Sequence, residues 1–181
     1  MGTVAEGRIE SGMVKKGDNL LLMPSRTKVE VGALYGETED EIDRAICGEQ
    51  IRLRLKGVEE EDMLPGYVLC SPKRPVHCVS AFNAELRILD LRQLLSAGAN
   101  CVLHVHSIEE EVTFAKLIAE FQKGGREGRR WKRNPTHAKK GGTYRVRLEV
   151  LGVPGRVCVE RYEDHPQLGR FTLRDQVCHS F

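Results

Sequence analysis

The amino-acid sequence predicts an all-β protein with two domains, each folded as a barrel or a sandwich. Apolar and polar residues alternate over much of the 181-residue chain, and this period of two is that of a β-strand. Turns rich in Gly and Pro separate the alternating runs at short intervals, as in barrels and sandwiches. Because 40% of the residues are hydrophobic and 30% are charged, the chain has enough apolar residues for buried cores.

The first part of the chain contains five strand patterns. Turn sequences occur at Ser11-Gly12, at residues 15–18 and at Leu64-Pro65-Gly66. Two of the runs between turns alternate apolar with charged side chains, so each is expected to be half-buried. The predicted strands are residues 3–9, 19–23, 28–34, 51–56 and 67–70.

The segment Ser71-Pro72-Lys73-Arg74-Pro75 is the best candidate for an interdomain linker. Its two prolines stiffen the chain and have no N–H to donate to a sheet. The charge balance also changes here: residues 1–72 carry 9 Lys and Arg against 14 Asp and Glu, whereas residues 73–181 carry 19 against 12. We therefore predict domains at 1–72 and 73–181, with different partners.

The second part repeats the pattern with longer strands, predicted at 81–91, 100–107, 111–121, 144–150, 156–162 and 170–173. The apolar residues of 108–121 also fit a helical spacing, but we favour a strand because the neighbouring elements are strands. Residues 124–142 are rich in Gly and in basic residues and predict one long loop. Long loops in compact domains are usually functional or mobile.

The sequence lacks the motifs of familiar catalytic and nucleotide-binding sites. Gly-x-x-x-x-Gly-Lys-Ser/Thr, Gly-x-Gly-x-x-Gly, His-Glu-x-x-His and Gly-x-Ser-x-Gly are all missing. We therefore expect no catalytic residue, no cofactor and no small-molecule substrate. The longest run without a charged side chain, 93–108, holds several polar residues and two His, so no membrane span is predicted. Without a signal segment, the cytoplasm is the expected compartment.

The cysteines and histidines do not form a recognisable metal-binding pattern. The six Cys are scattered with no Cys-x-x-Cys pair, which favours reduced, buried thiols over a disulfide framework. His104 and His106 would share one face of the predicted strand 100–107. Because no second pair of ligands accompanies them at a useful spacing, we interpret them as a polar strand face and expect no metal site.

A basic segment is the most distinctive charge feature of the sequence. It contains one acid, Glu127, one aromatic residue, Trp131, and eight cationic residues: Lys123, Arg126, Arg129, Arg130, Lys132, Arg133, Lys139 and Lys140. Such a charge attracts phosphate backbones without reading sequence. Contact with RNA or the ribosome and a merely solubilising loop both remain open on this evidence.

The last predicted strand alternates after a glycine turn. Phe171 and Leu173 share one face, whereas Arg170, Thr172 and Arg174 share the other. Arginines on one strand face form a regular row of donors for acidic groups. The pattern also fits a barrel strand with a polar outer face.

This stretch carries a resemblance to a known family. Gly169, Arg170, Phe171, Thr172, Leu173, Arg174 and Asp175 together resemble a signature of the eukaryotic peptide chain release factor GTP-binding subunits, which are translational GTPases similar to elongation factor one-alpha. Residues 7–12 and 16–18 resemble the opening of the family's second domain. Release-factor-like segments follow at 23–25, 51–61, 64–70, 81–85, 102–107 and 166–169. The resemblance is collinear from about Gly2 to Asp175.

The resemblance implies two consecutive β-barrels, of the translation-factor domain 2 and domain 3 types, at 1–72 and 73–181. It implies that residues 169–175 dock the stop-codon-recognising release factor and that the chain contacts the ribosome and its rRNA. GTP hydrolysis belongs to another domain of the family, so these residues are expected to be non-catalytic. The alternatives are a ribosome-rescue GTPase relative and a sequence-nonspecific RNA-binding module led by residues 123–140.

The resemblance also predicts an incomplete second barrel. The family has a strand before the position of Gly2, and after that of Asp175 it continues with a glycine-containing turn and a final apolar strand. Residues 176–181 lack this pattern. We therefore expect the second barrel to lack its last strand, which leaves an open edge that invites pairing with another chain. The barrel is expected to be marginally stable unless its partner or a swapped strand covers that edge.

Overall fold

A computed structural model describes residues 2–36, 40–91, 95–122, 130–152 and 156–175, with the backbone alone at 130 and 175. The strands before residue 72 are Thr3–Arg8 (β1), Met13–Lys15 (β2), Asn19–Met23 (β3), Thr27–Tyr35 (β4), Glu41–Ile42 (β5), Arg44–Ile46 (β6), Gln50–Lys56 (β7) and Val68–Cys70 (β8). Those that follow are Cys78–Val79 (β9), Ala81–Arg87 (β10), Asn100–Val105 (β11), Ile108–Gln122 (β12), Arg130–Arg133 (β13), Thr143–Val150 (β14), Val157–Cys158 (β15) and Phe171–Asp175 (β16).

Two short helical turns complete the described structure: a 3-10 turn at Glu60–Asp62 and the four-residue helix α1 at Pro166–Gly169. The all-β prediction is therefore confirmed. In the part of the chain that the structure describes, no helix has the length and hydropathy needed to cross a bilayer.

The chain divides into two compact units that are not contiguous in sequence. The first consists of Met1–Cys78, Val105–Ile108 and Cys158–Phe171, and the second of Val79–His104, Glu109–Val157 and Thr172–Phe181. Residues of the predicted second domain therefore also contribute to the first unit. The boundary between residues 72 and 73 stays a prediction for the sequence domains.

The first unit is built on an antiparallel sheet of order β1-β7-β4-β3-β8, with β5 paired to β4 and a separate β2-β6 ladder. Strand β7 shows why the sequence folds this way: Ile51, Leu53 and Leu55 are buried, while the basic residues between them are exposed. The buried residues of β7 pack in one core with residues of β2, β3, β4 and β6. Removal of these alternating apolar side chains from water stabilises the sheet.

A second apolar cluster of the first unit joins distant parts of the chain. Met23, Val76, Cys158 and Leu168 are all buried in it. Half-buried residues of β3, β8 and β9 pack against this cluster. The segment Cys158–Phe171 is therefore held to the rest of the first unit by side-chain burial, and also by backbone hydrogen bonds such as that from Val159 to the carbonyl of His77.

The second unit contains a sheet of order β10-β14-β12-β11-β16, with β13 paired to β12. Alternation along β14 buries Tyr144, Val146, Leu148 and Val150 and exposes the charged residues between them. The 15-residue β12 is a strand throughout, so the preference for a strand over a helix is confirmed. Two register shifts against β14 explain its imperfect period of two.

Several predicted segments differ from the structure. Residues 124–142 are not one loop, because β13 forms a ladder with the end of β12. The strand predicted at 81–91 ends at Arg87, and that predicted at 100–107 ends at Val105. The strand predicted at 156–162 is reduced to Val157–Cys158, and the turn before the last strand contains α1.

Candidate functional site

The predicted docking segment begins at the end of α1. The backbone N–H groups of Leu168 and Gly169 donate to the carbonyl of His165, at 3.1 and 2.9 Å, and that of Arg170 donates to the carbonyl of Pro166 at 3.0 Å. Pro166 suits the first helical position, because its missing N–H has no partner there in any helix. These bonds set the direction in which the chain enters β16.

Gly169 lies against the backbone of residues 160–162. A Cβ atom at this position would lie 2.5 Å from both N and Cα of Tyr162 and 2.9 Å from the carbonyl oxygen of Glu160. Backbone atoms cannot move aside as a flexible side chain does. The glycine of the predicted docking segment is therefore required for packing, whatever else it does.

Arg170 is exposed and held by an aromatic neighbour. Its Nη2 donates a hydrogen bond to the hydroxyl of Tyr162 at 3.2 Å, and its guanidinium carbon lies 5.8 Å from the centre of that ring. Tyr162 is itself 53% exposed. An arginine oriented in this way loses less side-chain freedom when it meets an acidic group.

The remaining residues of the segment lie on β16. Phe171 and Leu173 are half-buried, whereas Thr172 and Arg174 are exposed. The predicted division into an inner and an outer face is therefore confirmed for these positions. The side chain of Asp175 lies outside the described residues.

The basic segment is described only in part. Lys123, Arg126 and Arg129 lie outside the described residues, and Arg130 is described by its backbone in β13. The other four, Lys132, Arg133, Lys139 and Lys140, are exposed. Lys140 forms an ion pair with Asp90, with 2.7 Å between Nζ and Oδ1.

The indole ring of Trp131 contacts two other side chains. It meets Phe121 edge to face with centroids 5.2 Å apart, and the guanidinium carbon of Arg145 lies 4.1 Å from its ring centre. Arg145 in turn reaches Glu85, with 3.5 Å between Nε and Oε2. The sequence predicts an aromatic residue in a basic loop, whereas the structure shows a half-buried residue packed in strand β13.

Two partly buried hydrogen bonds fix the segment that follows β13. The hydroxyl of Tyr144 donates to Oε1 of Glu120 at 3.0 Å and accepts the backbone N–H of Lys139 at 2.9 Å. Burial raises the pKa of this hydroxyl. Lys139 is thus anchored by its backbone while its side chain remains exposed.

The two histidines predicted to share a face lie in different settings. His104 is on β11 with Nδ1 3.3 Å from Oε1 of Glu109. His106 is in the following turn, with Nε2 3.2 Å from the carbonyl oxygen of Cys158, and burial lowers its pKa. Among the described side chains, no group of three or more His, Cys, Asp or Glu is placed to hold a metal ion.

A further polar pair was not predicted. Nδ1 of His77 lies 3.0 Å from both carboxylate oxygens of Glu160, and the His77 backbone N–H donates to Oε1 at 2.8 Å. Burial raises the pKa of Glu160, but the hydrogen bonds from His77 outweigh it and the pKa lies below its usual value. Residues 83 positions apart gave no local signal in the sequence.

The cysteines match the prediction only in part. The cysteines in the described part of the chain are Cys47, Cys70, Cys78, Cys101 and Cys158. Only the last two of these are buried, while Cys47 is exposed, so its predicted burial is wrong. Cys178 lies outside the described residues.

Comparison with protein families identifies two domains. Residues 2–70 match elongation factor Tu domain 2, and residues 81–178 match the family described as GTP-eEF1A C-terminal domain-like. Together with the strands, these matches confirm the prediction of two consecutive translation-factor β-barrels. The predicted loss of the final strand concerns residues 176–181, which lie outside the described residues.

Curated relatives are about half identical to the chain over the residues that align. A eukaryotic peptide chain release factor GTP-binding subunit from Ogataea pini is 54% identical over 97% of the chain, and one from Schizosaccharomyces pombe is 46% identical over the same share. The chain spans 23% and 26% of these two proteins. It therefore corresponds to about a quarter of their length.

Solved structures show the same fold. The crystal structure of Sup35 complexed with GDP has a TM-score of 0.85 and 45% identity, over 97% of this chain and 41% of that one. The elongation factor SelB from Methanococcus maripaludis, in its apo form, has a TM-score of 0.67 at 20% identity, over 95% of this chain and 38% of that one. The second likeness concerns the fold alone.

Proposed function

Because the chain belongs to the elongation-factor-type translation factors, with release factor GTP-binding subunits as its relatives, we propose that it docks the stop-codon-recognising release factor during translation termination. Residues 169–175 form the docking segment. The exposed guanidinium groups of Arg170 and Arg174 donate to acidic or carbonyl groups of the partner. Phe171 and Leu173 anchor the segment to the fold.

The orientation of Arg170 is the observation that carries this proposal. Arg170 is exposed and lies between the end of α1 and strand β16. Its guanidinium group is oriented by Tyr162, so it is preorganised to donate hydrogen bonds to a partner. Among the described strands, β16 pairs with β11 at the end of the sheet order, and its side chains Thr172 and Arg174 are exposed. Charged residues on such a surface increase the specificity for a complementary partner and the rate of association with it.

We also propose that the basic residues of β13 and of the segment after it, up to Lys139, contact the ribosome. Lys132, Arg133 and Lys139 present positive charge on an ordered scaffold, since β13 is hydrogen-bonded to β12 and the Lys139 N–H to Tyr144. Phosphate contacts of this kind add affinity without sequence preference. We propose that the chain acts in the cytoplasm and that these residues contribute no catalytic group to GTP hydrolysis.

Two charge-reversal variants separate the two contacts. Arg174→Glu is expected to weaken binding to the stop-codon-recognising release factor by about tenfold or more, because it places an acid where a donor is needed. The double variant Lys132→Glu/Arg133→Glu is expected to retain that affinity. Its binding to ribosomes should weaken, with a salt slope lower by about two, one for each lost phosphate contact.

Isothermal titration with the partner and sedimentation with ribosomes measure the two affinities. Arg147→Glu is the matched control, since Arg147 is an exposed strand arginine outside both segments. Circular dichroism should be unchanged in all variants. Unaltered partner affinity in Arg174→Glu, or an equal loss in Arg147→Glu, would remove the docking role from this segment.

A further inference from the structure

Two thiols of the first unit lie in contact although 79 residues separate them in the chain. The sulfur atoms of Cys78 and Cys158 are 2.9 Å apart. Cys158 is fully buried beside Met23, Val76 and Leu168, and Cys78 packs half-buried against the same cluster. Both residues lie in the two-stranded β9-β15 sheet, so neighbouring backbone hydrogen bonds hold them together, including that from Val159 to the carbonyl of His77 at 3.0 Å.

We propose that Cys78 and Cys158 form a reversible disulfide when the protein meets a hydroperoxide, and that this bond locks the segment Cys158–Phe171 onto the first unit. The two sulfur atoms are already at contact distance, so bond formation needs only a small approach. The bond would join the last residue of one segment of the unit to the first residue of another.

The chemistry follows from the unequal exposure of the two thiols. Cys78, the more accessible, loses its proton, and its sulfur attacks one peroxide oxygen. The O–O bond breaks, leaving a sulfenic acid on Cys78 and releasing water or an alcohol. The sulfur of Cys158 then attacks that of Cys78, the S–O bond breaks, and hydroxide leaves as water with the Cys158 proton. Two thiols and one hydroperoxide thus give one disulfide, one water and one water or alcohol.

The surroundings assign the order of these steps. The hydrogen bond to Cys78, together with burial, raises the pKa of the Cys158 thiol, so Cys158 is protonated at neutral pH and does not attack peroxide first. A third thiol, Cys70, packs against the same cluster, and burial raises its pKa as well. Its sulfur instead donates to the carbonyl of Leu21 at 3.4 Å. Cys78–Cys158 is therefore the pair that the geometry selects.

The lock acts on the segment that leads to the docking residues. Three residues between Cys158 and Gly169 hold this segment in place. Glu160 binds His77, and Leu168 packs in the apolar cluster. Tyr162 accepts a hydrogen bond from Arg170. Closing a loop of about 80 residues stabilises a fold mainly by restricting the unfolded chain. Oxidation is therefore expected to protect this segment against local opening.

Mass spectrometry of the full chain tests the proposal. The native protein is treated with hydrogen peroxide, its remaining thiols are alkylated, and the digested peptides are mapped. We expect a linked peptide pair containing Cys78 and Cys158, a chain lighter by two hydrogen atoms, and full reversal by dithiothreitol. Cys47→Ser, which removes an exposed thiol elsewhere, should keep the link, whereas Cys78→Ala should abolish it.

Thermal unfolding supplies a second measurement that does not depend on a variant. The oxidised wild type should unfold about 8 °C above the reduced protein, and amide exchange of residues 159–170 should slow. A Cys70–Cys78 link, or retention of two alkylatable thiols at positions 78 and 158 while Cys47 oxidises, would overturn the proposal. A lower unfolding temperature after oxidation would also overturn the proposal, because the geometry of the two thiols would then not suit a disulfide.

Discussion

Gly169→Ala is expected to lower the free energy of unfolding by about 2–3 kcal/mol, because the added methyl group has no space. The new Cβ atom would lie 2.5 Å from backbone atoms of Tyr162. Relief requires the segment 160–162 to move, which also displaces the ring that supports Arg170. Affinity for the partner release factor should therefore fall together with stability. Urea unfolding and titration measure the two effects.

Gly7→Ala is the matched control for this substitution. Gly7 lies on β1, and no atom approaches within 4 Å of the position of its Cβ. Its free energy of unfolding should change by less than about 0.5 kcal/mol. If Gly169→Ala and Gly7→Ala unfold at the same urea concentration, the close approach at Tyr162 does not constrain the segment.

Leu168→Ala is expected to cost about 3 kcal/mol of stability, through lost burial and the cavity left behind. Leu168 is 8% exposed and packs in the cluster of Met23, Val76 and Cys158. Because this cluster holds the segment Cys158–Phe171 to the first unit, amide exchange should accelerate most in that segment. The Glu160 N–H, which donates to the Leu168 carbonyl at 3.3 Å, is the most direct reporter.

The control for the cluster is Leu64→Ala, since Leu64 is 50% exposed. Its unfolding free energy should change by less than about 0.5 kcal/mol. Uniformly faster exchange over the whole chain in Leu168→Ala, with no preference for residues 158–171, would show that the cluster does not anchor this segment specifically.

The strands could be predicted where one face is buried and the other is wet. In β7 and β14 the sequence period of two and the burial pattern coincide, because each strand has one neighbouring core. Strand β12 was ambiguous because two bulges shift its pattern toward a helical spacing. The neighbouring strands in the sequence favour a strand over a helix, and the pairing of β12 with β14 explains why it is a strand.

Other features could not be predicted from local patterns. Strand β13 consists of Arg130–Arg133 with one aromatic residue, so its composition indicates a loop; its pairing with β12 and the contact of Trp131 with Phe121 supply the missing stabilisation. The short strands β2, β5 and β6 are held by tertiary pairing rather than by propensity.

The alternation of residues 169–175 and their resemblance to a family predict the docking segment. They do not predict which residues of the fold contact this segment. Tyr162 lies eight residues before Arg170, and nothing in that spacing predicts a contact. The packing of residues 158–171 with the first unit and the Cys78–Cys158 contact depend on long-range topology. A single sequence carries little information about such contacts.

Site-specific photocrosslinking from Thr172 tests most directly whether residues 169–175 form the docking surface. Thr172 is exposed on the same strand face as Arg174, so a photoreactive side chain there should not disturb the fold. We predict a strong crosslink to the stop-codon-recognising release factor, which Arg174→Glu should greatly reduce. A complex that forms with normal affinity, yet crosslinks from exposed Asn83 on β10 and not from Thr172, would contradict the assignment.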